Sequence, residues 1–254
     1  MRKVTIIPYV IAAFVAGACG DKHSQSSDAN AAEVTVSPEV SSVSTPTGPA
    51  PAGTVTFDGA QGAYTEKRYD EAVRLFTSYT SEHPDNVWGF YMLGLSAWKT
   101  GDRDAAVRAF TRALEKDSAH VKSHLNLSRV LIEQGKAQEA LPYVEAALKI
   151  DSTSNEIYRV LGRVKGELGD STGAIEALKR AIVLDERDAR SMNNLARVYI
   201  GQGRFEDALG PLARAIEIDS TVAAFHTNLG RALERTADRS SLAEAFVEQV
   251  KGWR

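Results

Sequence analysis

Four arginines recur at an interval of 34 residues: Arg129, Arg163, Arg197 and Arg231. A guanidinium is a permanent cation with five donors in a planar fork, so a row of them is suited to holding carboxylates. Asparagine stands three residues before three of the four, at Asn126, Asn194 and Asn228. Its amide can both donate to and accept from an extended backbone. That chemistry is capture, not turnover. Nothing else in the chain is arranged for catalysis. His23, His83, His120, His124 and His226 are scattered, and there is no G-x-S-x-G, H-E-x-x-H or P-loop sequence. His120 and His124 are four apart, but His120 falls in a turn between units, which argues against a shared helical face. The single cysteine, Cys19, excludes an internal disulfide and a cysteine-based zinc site. No enzyme activity, metal or cofactor is expected.

The elements that must position the arginines repeat with the same interval. Ala189–Val222 contains two apolar stripes at helical spacing, Leu195/Ala196/Tyr199 and Ala208/Leu212/Ala215, separated by a break at Gly201-Gln-Gly203. One such hairpin cannot bury both faces alone, so it needs neighbours of its own kind. They are present. Gly101, Gly135, Gly169 and Gly203 keep step with Leu93, Leu127, Leu161, Leu195 and Leu229. Two alanine columns do the same: Ala106, Ala140, Ala174 and Ala208, then Ala113, Ala147, Ala181 and Ala215. The period places first helices over 87–99, 121–133, 155–168 and 189–201. Second helices fall over 103–116, 137–150, 171–184 and 205–218. Pro142 and Pro211 lie inside second helices, early enough to bend them rather than break them.

These columns resemble the tetratricopeptide repeat, whose W-x2-L-G-x2-Y … A-x3-F … A … P signature is matched at Leu93-Gly94, Leu127-Ser128, Leu161-Gly162, Leu195-Ala196 and Leu229-Gly230. The tryptophan place holds Phe90, His124, Tyr158, Met192 and His226, and the closing proline survives only as Pro84. His124 and His226 are accordingly read as packing residues. The resemblance implies an all-α fold, a right-handed superhelix of antiparallel helix pairs. Four clear repeats are expected at 87–120, 121–154, 155–188 and 189–222. A weak unit at 53–86 precedes them, with a marginal first helix near Asp58–Lys67 and a clear second helix from Tyr69. A degenerate unit at 223–254 follows, with a helix over Ala223–Arg235 and Ser240–Lys251 in the place of its second helix. Such a solenoid has no single core, since each unit buries its face on the next.

The resemblance also implies that first helices line a concave wall, with the arginines at position 9 and the asparagines at position 6 of each unit. Its expected partner is an extended acidic segment or a free C-terminal carboxylate of another protein. A structural alternative stands beside this. Glu133 and Glu167, four residues after Arg129 and Arg163, could satisfy those two locally at ~0.3–0.5 kcal/mol each. That would leave Arg197 and Arg231 as the unpaired cations. In the first strong unit the groove positions are apolar: Trp88, Tyr91, Leu95 and Trp98. Either these form an open apolar pocket beside the arginines, or the weak unit or the preceding segment folds over them. Self-association through Trp88 and Trp98, as a structural homo-oligomer without a peptide ligand, is the competing function.

Outside the repeats, Met1-Arg2-Lys3 opens the chain and Val4–Ala18 is uncharged. A run of fifteen uncharged residues suits a signal peptide better than a bilayer-spanning helix. The run ends Ala16-Gly17-Ala18-Cys19 and resembles a bacterial lipobox, with Ala16 where leucine is preferred. This implies a signal peptide at 1–18 and lipidation (palmitate or a similar acyl chain) at Cys19. The other reading is ordinary secretory cleavage after Ala18. Acyl chains contribute ~0.8 kcal/mol per buried CH₂ and would hold the protein on a membrane. Gly20 after the cysteine favours the outer membrane by the sorting rule of enteric bacteria, which gives a periplasm-facing location. Residues 19–56 are rich in Ser, Ala, Thr and Pro and read as a tether with a span of ~35 Å, leaving 57–254 for the stack. The alternative is that Val34, Val36, Val40 and Val43 lie in the groove as an internal ligand. The net charge is −3, and 28 basic against 33 acidic residues remain if Arg2 and Lys3 are removed. That balance gives no electrostatic reason to bind nucleic acid.

Overall fold

The computed structural model describes residues 55–236. Signal run, Cys19, tether and the Ser240–Lys251 helix lie outside the described residues. Eleven α-helices and no strand occur within them. First helices are α1 (Phe57–Thr65), α3 (Val87–Thr100), α5 (Val121–Glu133), α7 (Asn155–Glu167), α9 (Ala189–Gly201) and α11 (Ala223–Arg235). Second helices are α2 (Tyr69–Glu82), α4 (Arg103–Lys116), α6 (Ala137–Ile150), α8 (Ser171–Leu184) and α10 (Phe205–Ile218). The order is the alternation expected of an all-α helical repeat superhelix, and most boundaries fall within a residue of those the period gives. The marginal first helix of the weak unit is a capped α-helix, its first turn held by Thr56 Oγ1 accepting from Gly59 N at 3.1 Å. α6 and α10 run unbroken through Pro142 and Pro211.

Each hairpin turns on one left-handed residue. Gly101, Gly135, Gly169 and Gly203 have φ of +90°, +74°, +81° and +74°. The same column in the weak unit holds Lys67 at φ +63°, so the backbone keeps the corner even where the glycine is missing. In four of the five described hairpins the turn is closed by a bond from the residue after it to a carbonyl five back: Arg68 N to Ala63 O, Lys136 N to Leu131 O, Asp170 N to Lys165 O and Arg204 N to Tyr199 O. This pattern satisfies helix-end carbonyls that would otherwise lack donors.

Small residues set how closely the two helices of a pair approach. Ala72, Ala106, Ala140, Ala174 and Ala208 have no exposed surface, and neither do Ala113, Ala147, Ala181 and Ala215. A Cβ at Gly94 would sit 2.6 Å from the Phe110 ring, and one at Gly162 would sit 2.5 Å from Leu178. Larger residues there would push the helices apart. Successive first helices touch one another along the whole stack, from α1–α3 to α9–α11, with no comparable contact between successive second helices. The first helices therefore form the inner wall, where the spacing is tighter.

Candidate functional site

Three of the four arginines meet at one place on that wall. A cavity of about 410 Å³ is lined by Arg163 of α7, Asn194 and Arg197 of α9, and Arg231 of α11. Only one carboxylate, Glu167, shares the lining. Arg197 approaches it at 3.9 Å with both side chains about 50% exposed, a pair worth little in solvent. Among the described residues neither Arg163 nor Arg231 has an ion-pair partner. Burial, and then the like charges of Arg197 and Arg129, push the pKa of Arg163 below the usual arginine value, with Glu133 and Glu167 offsetting part of the shift. The site is thus a concentration of positive charge held partly out of water, with three cations to one carboxylate in its lining.

Arg129 has a different fate. It donates to Glu156 Oε1 at 2.6 Å and to Asn126 Oδ1 at 2.9 Å. Asn126 is buried and donates in turn to Tyr91 Oη at 3.1 Å, so both its amide groups are used. Glu156 also meets Arg159 at 3.5 Å, and Arg159 reaches Asp188 Oδ2 at 2.7 Å. Asp188 caps α9 through Ser191 N and accepts from Ser191 Oγ and Asn155 Nδ2. The chain of contacts joins α3, α5, α7 and α9. Burial opposes the charge of Glu156, but the Arg129 bond and the charges of Arg129 and Arg159 outweigh it and lower its pKa.

Local pairing four residues apart is therefore not what the structure shows. Glu133 accepts instead from Trp98 Nε1 at 3.0 Å and Arg103 Nε at 3.2 Å, and Glu167 turns to Arg197. Groove side chains point across to the next first helix, so the partner comes from another repeat. Arg163, not Arg197, is the half-buried cation without an ion-pair partner among the described residues. Asn228 is buried and donates to Asn193 Oδ1 at 2.8 Å, a contact between α11 and α9. Of the seven polar groove residues, Arg163, Asn194, Arg197 and Arg231 are brought together, while Asn126, Arg129 and Asn228 tie repeats to one another.

The aromatic end divides in the same way. Tyr91 and Leu95 are half-buried and pack against the core of the weak unit around Phe76 and Met92, and Trp98 is fixed by Glu133. Trp88 is 47% exposed. It lines a second cavity of about 350 Å³ with Phe57, Gln61, Asn86 and Met92. Lys122 Nζ lies 5.1 Å from its ring centroid, and its ring meets the His120 and Tyr91 rings edge-on. His120 is itself buried, with Nδ1 2.7 Å from Ser123 Oγ. His124 is also buried and hydrogen-bonds Ser118 O at 2.9 Å, whereas His226 makes the same contact to Ser220 O from an exposed position.

A tetratricopeptide repeat family model matches residues 91–155 and 159–223, just over half of the sequence. The chain belongs to the tetratricopeptide repeat family. Solved structures agree on the fold. MamA (residues 41 to the end) from Desulfovibrio magneticus RS-1 superposes with a TM-score of 0.59 at 19% identity, covering 65% of this chain and 94% of MamA. A thermophilic TPR protein of Thermus thermophilus gives 0.58 at 22%, with 69% and 95% covered. YrrB, described as a TPR protein with an unusual peptide-binding site, gives 0.55 at 18%, with 67% and 88% covered. At these identities the likeness establishes fold alone. No curated protein matches in sequence. Tetratricopeptide repeats serve as protein-interaction scaffolds, and this chain has that architecture. Among the described residues no cluster suited to a metal ion occurs and no helix is long and apolar enough to cross a membrane.

Sequence reasoning reached the arginines but missed Glu156, Arg159 and Asp188. The available signal was the residue preceding each first helix. That column reads Asn86, His120, Ser154, Asp188 and Val222, and its Asn and Asp members accept from the helix they precede.

Proposed function

We propose that this tetratricopeptide stack is a lipid-anchored adaptor of the bacterial cell envelope. It captures a partner protein by an acidic segment or free C-terminal carboxylate at Arg163, Asn194, Arg197 and Arg231, and so assists assembly of an envelope complex. The observation that carries the reading is the meeting of three guanidinium groups and one carboxylate at a single cavity. Charge-assisted, bidentate contacts to a carboxylate are the strong polar interactions available to such a set. The anchor rests on the uncharged run that ends at Cys19. It places the stack on the periplasmic side of a membrane, the outer one by the residue after the cysteine.

The test is the double charge reversal Arg197→Glu with Arg231→Glu in the full chain. Losing buried charge pairing at an interface costs about 2–5 kcal/mol, or roughly 30-fold and upward in affinity. Capture of the partner should vanish while the thermal unfolding temperature stays within a few degrees. Undiminished capture rules the basic wall out. In parallel, Cys19→Ala should move the protein from the membrane to the soluble fraction. The exposed Trp88 favours a second reading, a homo-oligomer sealed through that face. A mass by light scattering that rises with concentration, and falls back with Trp88→Ser, would support it.

A further inference from the structure

One column of the repeat loses its side chain beside the cavity of the three arginines. The column that contains Gly166 holds Trp98 and Ile132 in the preceding repeats and Ile200 in the next. At Gly166 nothing occupies that place. A Cβ built there would fit without strain, in ordinary contact with Val198 and Ala174 at 3.8 and 3.9 Å. Gly201, on the facing helix, looks onto open space. The cavity lining also includes Gly162 and Leu178, a fully buried residue of α8 that packs against Gly162. A glycine inside a helix is less favourable than alanine, so α7 gains nothing from it as a helix.

We propose that Gly166 is the specificity-determining residue of this groove, the opening through which the carboxylate-bearing end of the ligand enters the wall between α7 and α9 tip-first. The inference rests on the basic-wall reading given above and deepens it. A ligand laid flat across the groove would meet Arg197 and Arg231, which are exposed. A ligand that enters between α7 and α9 also meets Arg163, the least exposed of the three and without an ion-pair partner among the described residues. The group that enters is a carboxylate, borne by a chain terminus or by an acidic side chain.

The experiment uses the full chain and a defined probe, an N-acetylated Gly/Ser octapeptide ending in Glu-Asp with a free terminal carboxylate. Binding is followed by calorimetry at low ionic strength. A series at one position varies volume without touching charge: Gly166→Ala, Gly166→Val and Gly166→Ile, the last being the residue one repeat to either side. Gly166→Ala should bind within about threefold of the parent, because the space accepts a methyl. Affinity should fall stepwise to at least tenfold weaker at Gly166→Ile, with helix content and melting temperature held or raised. The same probe capped as a C-terminal amide tells the sources apart, since loss marks the chain end as the entering group and retention marks the side chain. Parent-like affinity in Gly166→Val and Gly166→Ile, with binding abolished by Arg197→Glu and Arg231→Glu, overturns tip-first entry and leaves the basic wall standing. Binding that survives the charge reversal, or no binding by the parent chain, overturns the wall and this inference with it.

Discussion

Replacing Asp188 with alanine removes the point at which two repeats are joined by charge. Its side chain is 4% exposed and accepts from Arg159 Nη1 at 2.7 Å, Ser191 Oγ at 2.6 Å, Ser191 N at 3.1 Å and Asn155 Nδ2 at 3.1 Å. Two losses follow. Breaking a buried pair by removing one partner costs ~3–5 kcal/mol, because the other charge is left behind. Here that charge is Arg159, 14% exposed, which keeps Glu156 at 3.5 Å and so sits at the low end of the range. Loss of the N-cap of α9 adds ~1 kcal/mol. The sum is about 3–4 kcal/mol, which at 2–4 °C per kcal/mol for a chain of this size lowers the melting temperature by roughly 6–16 °C. Circular dichroism during heating and in urea would measure it. The companion variant Arg159→Met removes the stranded cation, so Asp188→Ala combined with Arg159→Met should recover about 1–3 kcal/mol relative to additivity. A drop below about 2 °C for Asp188→Ala, or strict additivity in the double variant, would refute the view that this contact binds the repeats together.

Two further outcomes are expected. Lys67 occupies the left-handed corner at φ +63° that glycine fills in the other hairpins, so Lys67→Gly should stabilise the first hairpin by up to about 1 kcal/mol, and a lowered urea midpoint would contradict it. Burial lowers the pKa of His120 below its ordinary 6.5, with Lys122 and His124 adding to the effect and Asp117 opposing it, while Trp88, Tyr91 and Ser123 pack around the ring. The stability that the neutral ring confers is complete above pH 6.5 and declines as pH falls from there toward the folded value. His120→Asn should therefore flatten the urea midpoint between pH 7.5 and 5.5, a window separate from that of Glu156, whose depressed pKa matters only below its ordinary 4.5. An unchanged slope in the variant would show that His120 is not the titrating group.

The hairpins were legible because periodicity over several units averages out local ambiguity. Gly135, Ala140 and Ala147 each have counterparts 34 residues away on both sides, so the helix of any one unit is read with help from the others. What was not legible was pairing. Counting four residues along a helix leads from Arg129 to Glu133, but first helices pack side by side, and Arg129 finds Glu156, 27 positions on. Side-chain reach across the stack depends on superhelical geometry that no local spacing encodes. Gly166 escaped notice for the opposite reason. A residue that breaks its column looks like noise in a repeat sequence, and only the space around it shows what its absence makes.

The guanidinium groups of Arg163 and Arg197 raise each other's energy, and nothing on the inner wall discharges them fully. Mutual repulsion there tends to spread α7 and α9 apart on the concave side, while the contacts of Arg159 with Asp188 hold the same two repeats together nearby. Any anion that settles among the arginines relieves one of these opposing forces and leaves the other in place. On this balance a captured partner is expected to draw α7 and α9 together, which a smaller radius of gyration on peptide binding would register and an unchanged one would contradict.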